Sequence, residues 1–533
     1  MNLGKLLLET LAAFTVFAPA RGAETRHDIR DFGARGDGVT LCTIAIQKAV
    51  DACAADGGGT VYCGPGAWLS GTITLKSHVS LYLDNGCTLF GSTNLADYPP
   101  WHPRLRSYTD NYVEQSLIAG EDLEQVGIFG RGTIDGNGQY FPFHGKLAEL
   151  GRPYVIRLVN CTNVTVAGIA LRSSPMWMQH YLACRQLVLR DLRVFNHVNH
   201  NNDGLDIDSC SDVIISGCMI DSGDDALCFK STTDRLCENV TVDNCILSSH
   251  CEAIKLGTES NGGFKNITIN NCAIMAPRFT RSIYGDSQNS GVSGIAVMTV
   301  DGGQSENINI SNITMRDVPV PIFIRLANRA RPITSDGPRP GVGKLRLLTL
   351  SNISATGARN ACSITGLPGI YVAEVFLSNI QLSFKGGEKR AATVLVPDLA
   401  ADYPVGQMFG RLPCYGIYGH HVRGLKLNNV HLTTRAPDER PAIIADDVAS
   451  LTLNGVETGS RSEAAAPAIW LRNVSGAFVQ GCQISLAKRV PLRLEGPATQ
   501  NIFIGVNDFS RQQIELGDGV TSGAVSHLEA ERQ

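Results

Sequence analysis

One short pattern recurs along most of this chain, and it limits the possible fold more than any other feature. It reads apolar-x-apolar-x-(Asn, Gly or Asp)-apolar-x-apolar. Copies begin at Val164, Leu187, Val213, Val240, Ile267, Ile308, Leu348, Val375, Leu425, Leu451, Ala477 and Ile502. Apolar residues at alternate positions mark half-buried strands. The commonest step between copies is 25–27 residues, and a fixed period of that size marks a solenoid whose coils bury one another. The fifth position carries Asn244, Asn271, Asn312, Asn352, Asn379 and Asn429, alternating with Gly168, Gly217, Gly455 and Gly481. Both residue types accept left-handed backbone, so this position is a turn. The expected fold is all-β: a single-stranded parallel β-helix, right-handed by the chirality preference of parallel crossovers.

The sixth position exchanges Ile, Leu and Val with Cys218, Cys245, Cys272 and Cys482. Cysteine there behaves as a small buried hydrophobe. These four are expected as free core thiols, although 16 cysteines in an exported chain would otherwise suggest disulfides. Longer steps of 41, 40 and 50 residues place insertions after Ile274, Met315 and Leu382. Insertions in solenoids leave from one face and often wall a binding site.

The chain is expected to divide into a signal peptide over residues 1–23, a β-helix domain over 24–515 and a polar tail over 516–533. Lys5, the largely apolar Leu6 to Phe17 (interrupted by Glu9) and Ala18-Pro19-Ala20 carry the first assignment. Within the domain, residues 24–100 read as an entry coil and cap, and 160–510 as the repeated coils. The helical spacing of Ala45 to Cys53 supplies the capping helix that an open solenoid end requires. No later stretch has the roughly 18 uninterrupted apolar residues of a membrane span. The expected location is secreted or periplasmic. A formal charge of -4, with scattered charges, argues against a nucleic-acid partner. Nothing in the sequence signals an oligomeric state.

Four carboxylates crowd Asn201-Asn202-Asp203-Gly204-Leu205-Asp206 and Gly223-Asp224-Asp225. Counted from the start of their own coils, Trp177, Asp203, Asp224, Asp225, His250, Glu252, Arg281 and Arg325 lie at similar depths. Adjacent coils rise by about 4.8 Å, so such residues are expected to project into one cleft. Glycoside hydrolysis with inversion needs one carboxyl that keeps its proton and one carboxylate that activates water, about 6.5–9.5 Å apart. Crowding raises the pKa of at least one of them. Trp101, Tyr108 and Tyr112 fall in a loop, where aromatic rings either stack on sugars or pack the loop down.

On these motifs the chain resembles glycoside hydrolase family 28, the polygalacturonase and rhamnogalacturonase group. Asn201-Asn202-Asp203 stands where the family has Asn-Thr-Asp, and Gly223-Asp224-Asp225 where it has Gly-Asp-Asp. The resemblance implies a pectin-lyase-like β-helix and single displacement with inversion. Asp224 would be the general acid, and Asp203 and Asp225 would hold and deprotonate the water. No metal and no cofactor are implied. Asn201 and Trp177 beside the acids are substrate-binding candidates. In the third family motif, either His250 or Glu252 takes the place of the family histidine, depending on the alignment.

The family's Arg-Ile-Lys, which grips a uronate carboxylate, is missing. The corresponding strand reads Gly294-Ile295-Ala296-Val297-Met298-Thr299. Lys230, Lys255, Arg281 and Arg325 are the candidate replacements. The expected activity is therefore hydrolysis of a pectic polysaccharide or oligosaccharide, with rhamnogalacturonan-type or exo-acting specificity favoured. The alternatives are a polygalacturonase acting on homogalacturonan, a polysaccharide lyase and a non-catalytic carbohydrate-binding β-helix. The late insertion, with Met408-Phe409-Gly410, is placed to close one end of the cleft or to pack on the solenoid.

Overall fold

A computed structural model describes residues 26–145, 151–389, 395–459, 466–484, 490–509 and 513–527. The stretch read as a signal peptide, 1–23, lies outside the described residues. All twelve copies of the repeat fall on one rung-to-rung line: Val164 pairs with Leu187, Leu187 with Val213, and so on through Ala477 with Ile502, always in parallel. The fold is a parallel β-helix. Its apolar positions face inward as one continuous core column.

The turn that the repeat marks with asparagine is built as expected. Asn244, Asn271, Asn312, Asn352, Asn379 and Asn429 all have φ between 52° and 57°. Their amides bond along the stack: Asn352 Nδ2 donates to Asn312 Oδ1 at 2.9 Å, Asn379 to Asn352 at 2.9 Å and Asn429 to Asn379 at 2.8 Å. All 16 cysteines are free thiols, and all but Cys251 are buried.

Each coil contributes strands to three stacked sheets. The second sheet, with Thr162–Ala167, Arg185–Arg190 and Ser211–Ser216, alternates buried and exposed residues. The first sheet does not. Its strands Leu205–Asp208, Leu227–Ser231 and Ser293–Thr299 are buried on both faces. Cover on its outer face comes from connections over residues 101–115, 276–292, 327–343 and the described residues of 385–416. The second of the expected insertions thus falls after Leu326 rather than after Met315, because Val320–Leu326 continues the first sheet before the chain departs.

The helix Thr43–Ala55 is the α-helix of the described residues. It buries Ile46, Ala49, Val50 and Cys53 against the entry coil. At the other end, Glu515–Leu516 pairs with Leu492–Glu495, and Val525–His527 with Gln500–Ile504. The described part of the stretch read as a tail therefore carries the last residue of one strand and the whole of another. No described helix is long and apolar enough to cross a membrane.

Candidate active site

Asp203, Asp224 and Asp225 stand in successive turns that lead into the first sheet. The turns are tied directly, since the Gly204 N–H donates to the Asp225 carbonyl at 2.8 Å and the Asp224 N–H to the Asn202 carbonyl at 3.3 Å. Asn202 itself is fully buried. Its side-chain oxygen accepts the N–H groups of Val198 and Asn199, and its amide donates to the Ser174 carbonyl, which fixes the turn that presents Asp203. The carboxylates reach a cavity of about 260 Å³. Its walls add the aromatics Tyr108, Tyr112, Trp177 and Tyr403, the cations Lys230, Lys255 and Arg331, and the carboxylate of Glu259. A larger cavity of about 500 Å³ at the C-terminal end holds no Asp, Glu, Lys or Arg. The acid chemistry therefore belongs to the smaller one.

Asp224 and Asp225 are neighbours in sequence with opposed environments. Burial, and then the charge of Asp225, raise the pKa of Asp224 above the usual carboxylate range. Its Oδ1 accepts the Asp225 N–H at 3.0 Å, and its Oδ2 accepts the Tyr284 hydroxyl. For Asp225, burial acts in the same upward direction. Lys255, with Nζ 2.7 Å from Oδ2, and then Lys230 outweigh it and hold the carboxyl low. Asp203 is 2% exposed, and burial followed by Asp206 raises it strongly. One carboxyl pushed up beside one held low is the division that acid–base work on a glycosidic bond requires.

Two of the four candidate cations reach the cavity. Lys230 Nζ lies 3.5 Å from Asp206 Oδ1, 3.6 Å from Glu259 Oε2 and 4.4 Å from the Trp177 ring centre. Lys255 bonds Asp225 and lies 3.9 Å from Glu252. Arg281 does not join them, being exposed on the 276–292 connection. Arg325 does not either. It is 1% exposed, and its guanidinium donates to Thr365 Oγ1 and to the carbonyls of Gly366, Asp398 and Leu399. Arg325 is thus a structural tie, because both terminal nitrogens of its guanidinium are spent on the scaffold.

The two readings of the third motif also separate. His250 bonds the Gln288 carbonyl at 3.1 Å and Thr280 Oγ1 at 3.0 Å, so it pins the 276–292 connection from behind and does not line the cavity. Glu252 is buried next to Lys255 and donates its backbone N–H to Asp225 Oδ1. Asn201 lines the cavity. Its side-chain oxygen accepts from Arg152, and its N–H donates to the Tyr284 hydroxyl oxygen at 2.8 Å. Trp177 lines it too, packed on Tyr154 and Met176. Tyr108 and Tyr112 reach the cavity, whereas Trp101 packs against Val159 and Leu182.

The strand that lacks Arg-Ile-Lys is roofed. Ala296 and Met298 pack with Val320 and Phe323 under Met408 and Phe409 of the 385–416 connection. Sequence reasoning missed Tyr284, Glu259, Arg331 and Tyr403. Three of them arrive on connections that carry no repeat to count from. Glu259 stood within the third motif, but nothing in the pattern aimed it at Lys230.

Asp206 gives a test that does not depend on activity. Burial raises its pKa from 3.8 to about 8, against the pull of Lys230. A group raised on folding contributes stability that is complete below its unfolded pKa and lost as pH rises through its folded pKa. Between about pH 4 and 8 the wild type is therefore expected to lose stability through this group. Asp206→Asn should flatten that loss by on the order of 2 kcal/mol, read as the change in Tm from pH 5 to pH 8 at one scan rate. An unchanged slope would mean that Asp206 is ionised throughout.

Residues 53–400 match the family described as Glycosyl hydrolases family 28. A probable polygalacturonase of Vitis vinifera is 34% identical over 242 residues, covering 43% of this chain and 48% of the relative. An exo-poly-α-D-galacturonosidase of Dickeya chrysanthemi is 28% identical over 257 residues, covering 38% and 42%. The chain thus spans less than half the length of these curated relatives. Among solved structures, an exopolygalacturonase from Thermotoga maritima superposes with a TM-score of 0.58 at 23% identity, over 68% of this chain and 88% of the other. A family 28 exopolygalacturonase of Yersinia enterocolitica gives 0.57 at 18% identity, over 86% and 79%. At these identities the structures speak for the fold.

Proposed function

The chain belongs to glycosyl hydrolases family 28, and from that premise we propose that it is a pectic glycoside hydrolase that releases galacturonate from the ends of galacturonan chains. The observation that carries this reading is a small cavity with Asp203, Asp224 and Asp225 on its floor and Lys230, Lys255 and Arg331 in its walls. A uronate ring brings one negative charge, and three cations around the acids supply what the missing Arg-Ile-Lys would have given. The names of the curated relatives support the polygalacturonase alternative over the rhamnogalacturonan-type substrate favoured from the strand alone. The roof formed by Met408 and Phe409 over the neighbouring strand supports action at a chain end, because it fills the outer face of the sheet beside the cavity with apolar side chains. The N-terminal sequence supports action outside the cytoplasm.

In this mechanism Asp224 donates its proton to the leaving oxygen. Asp225, kept ionised by Lys255, takes a proton from the attacking water, and Asp203 holds that water. The reaction inverts the anomeric centre in one displacement. The test is a product assay on homogalacturonan, rhamnogalacturonan I and short galacturonate oligosaccharides, with Asp224→Asn as the blank. Monogalacturonate with inverted anomeric configuration at early times is the expected result. Products from rhamnogalacturonan alone would overturn the substrate. An unsaturated, ultraviolet-absorbing product would overturn hydrolysis altogether.

Tyr284 has a positioning role in this scheme. Its hydroxyl donates to Asp224 Oδ2 and accepts from the Asn201 N–H, linking both motifs to the 276–292 connection. A hydrogen bond to a charged group is worth about 1.5–3 kcal/mol. Tyr284→Phe should therefore lower kcat by roughly 10-fold. The lost bond favoured the ionised carboxylate, so its removal raises the Asp224 pKa. The alkaline limb of the pH–rate profile should accordingly move to higher pH. A shift to lower pH would place the acid elsewhere.

A further inference from the structure

A second cluster of ligating side chains lies on the same outer face of the first sheet, away from the carboxylate cavity. Met298 pairs with Arg325, Arg325 with Thr365, Thr365 with His420 and His420 with Asp446. His420 is five rungs from Lys230, roughly 24 Å at about 4.8 Å per rung. His421 follows with φ of 56°. Two adjacent imidazoles, which an extended strand would send to opposite faces, here lie stacked with ring centres 3.7 Å apart.

Asp398, from the 385–416 connection, points its Oδ1 at both rings, 3.1 Å from His421 Nε2 and 4.0 Å from His420 Nδ1. The three donor atoms lie within 4.8 Å of one another.

We infer that Asp398, His420 and His421 form a binding site for one divalent transition metal of the zinc class. His421 Nδ1 is 2.6 Å from Asp447 Oδ2. With the ring proton on that side, Nε2 presents a lone pair to the carboxylate oxygen of Asp398. Two electron-rich atoms 3.1 Å apart then face each other across a gap that a cation beside them would fill. Among the described residues, the ion pairs of Asp398 and Asp447 are made to these imidazoles.

Two imidazole nitrogens and one carboxylate suit Zn²⁺, Co²⁺ or Ni²⁺. Ca²⁺ and Mg²⁺ ask for oxygen ligands throughout. The Asp447–His421 bond is the outer carboxylate that orients a metal-bound histidine. Bound metal would staple the connection to the solenoid at Asp398, five residues before Tyr403 in the cavity wall. Arg325 already holds the Asp398 and Leu399 carbonyls, so the metal would fix the side chain of a segment whose backbone is anchored.

The test is calorimetric titration of chelator-treated full-length protein with Zn²⁺ alone and with Co²⁺ alone. One saturable site per chain is expected, retained in Asp224→Asn and lost in His420→Ala and Asp398→Asn. Asp447→Asn should weaken binding by about 10- to 100-fold, an effect that a merely structural bond would not have. Zn²⁺ should also raise Tm and slow proteolysis within 395–416. No saturable binding by the wild type would overturn the inference whatever the variants do, and would leave His421 as an imidazolium bridging two carboxylates. Binding abolished by Asp224→Asn and kept by His420→Ala would also overturn it, moving the metal to the acid cluster.

Discussion

Asp224→Asn is expected to lower kcat on galacturonate oligosaccharides by on the order of 10³- to 10⁴-fold with little change in fold. A sugar leaves as an alkoxide unless a proton arrives with bond cleavage, and an amide has none to give. The asparagine keeps the shape of the site. Its oxygen can still accept the Tyr284 hydroxyl or the Asp225 N–H that the carboxyl accepts now. The diagnostic comparison uses an aryl galacturonide whose phenolate leaves without help. On that substrate Asp224→Asn should lose far less, because the missing proton matters little. Asp225→Asn and Asp203→Asn should lose on both substrates, since activation of water is common to both. Equal losses of Asp224→Asn on the two substrates would show that Asp224 does not act as the acid.

The solenoid was legible because its physics is repetitive. A strand that buries alternate residues in every coil writes the same pattern twelve times, and register follows once each turn has its asparagine or glycine. The thiols were legible for the same reason, since Cys218, Cys245 and Cys272 share a column with Ile169 and Ile313. The acids were legible because turns in consecutive coils stack whatever follows them. The cations were harder. Depth along a coil says how far a residue is from the last shared strand, and it says nothing of where a long side chain ends. Arg325 and Lys230 both sit on the outer face of the first sheet. The 385–416 connection offers carbonyls to Arg325, while Asp206 and Glu259 draw Lys230 into the cavity. Arg331, Tyr284 and Tyr403 had no column at all. Connections between coils are positioned by what they pack on, and that is not written in their own spacing.

Lys230→Met should be the most damaging change outside the three acids, because Lys230 serves two roles at once. Its ammonium is buried between Asp206 and Glu259, and methionine keeps the stem while removing the charge. Breaking a buried pair by taking one partner costs up to about 3–5 kcal/mol; here Glu259 keeps Arg331 and Arg329, while Asp206 loses the cation that opposes the upward push of burial. Removal also takes away the second of the two lysines that hold Asp225 low. The Asp225 pKa must then rise. A base that has to be ionised works only above its pKa, so the acid limb of kcat/KM should move to higher pH. The stability loss and the loss of substrate grip can be separated with Lys230→Met/Asp206→Asn. This double variant puts a neutral amide where Asp206 would have to ionise without a cation beside it, and above about pH 8 it should regain a substantial part of the lost Tm. It still lacks the ammonium facing the cavity, so its KM for galacturonate oligosaccharides should stay at least about 10-fold above wild type. A double variant that recovered Tm and KM together would show that Lys230 holds the wall and never meets the substrate, leaving Arg331 and Lys255 to bind the uronate.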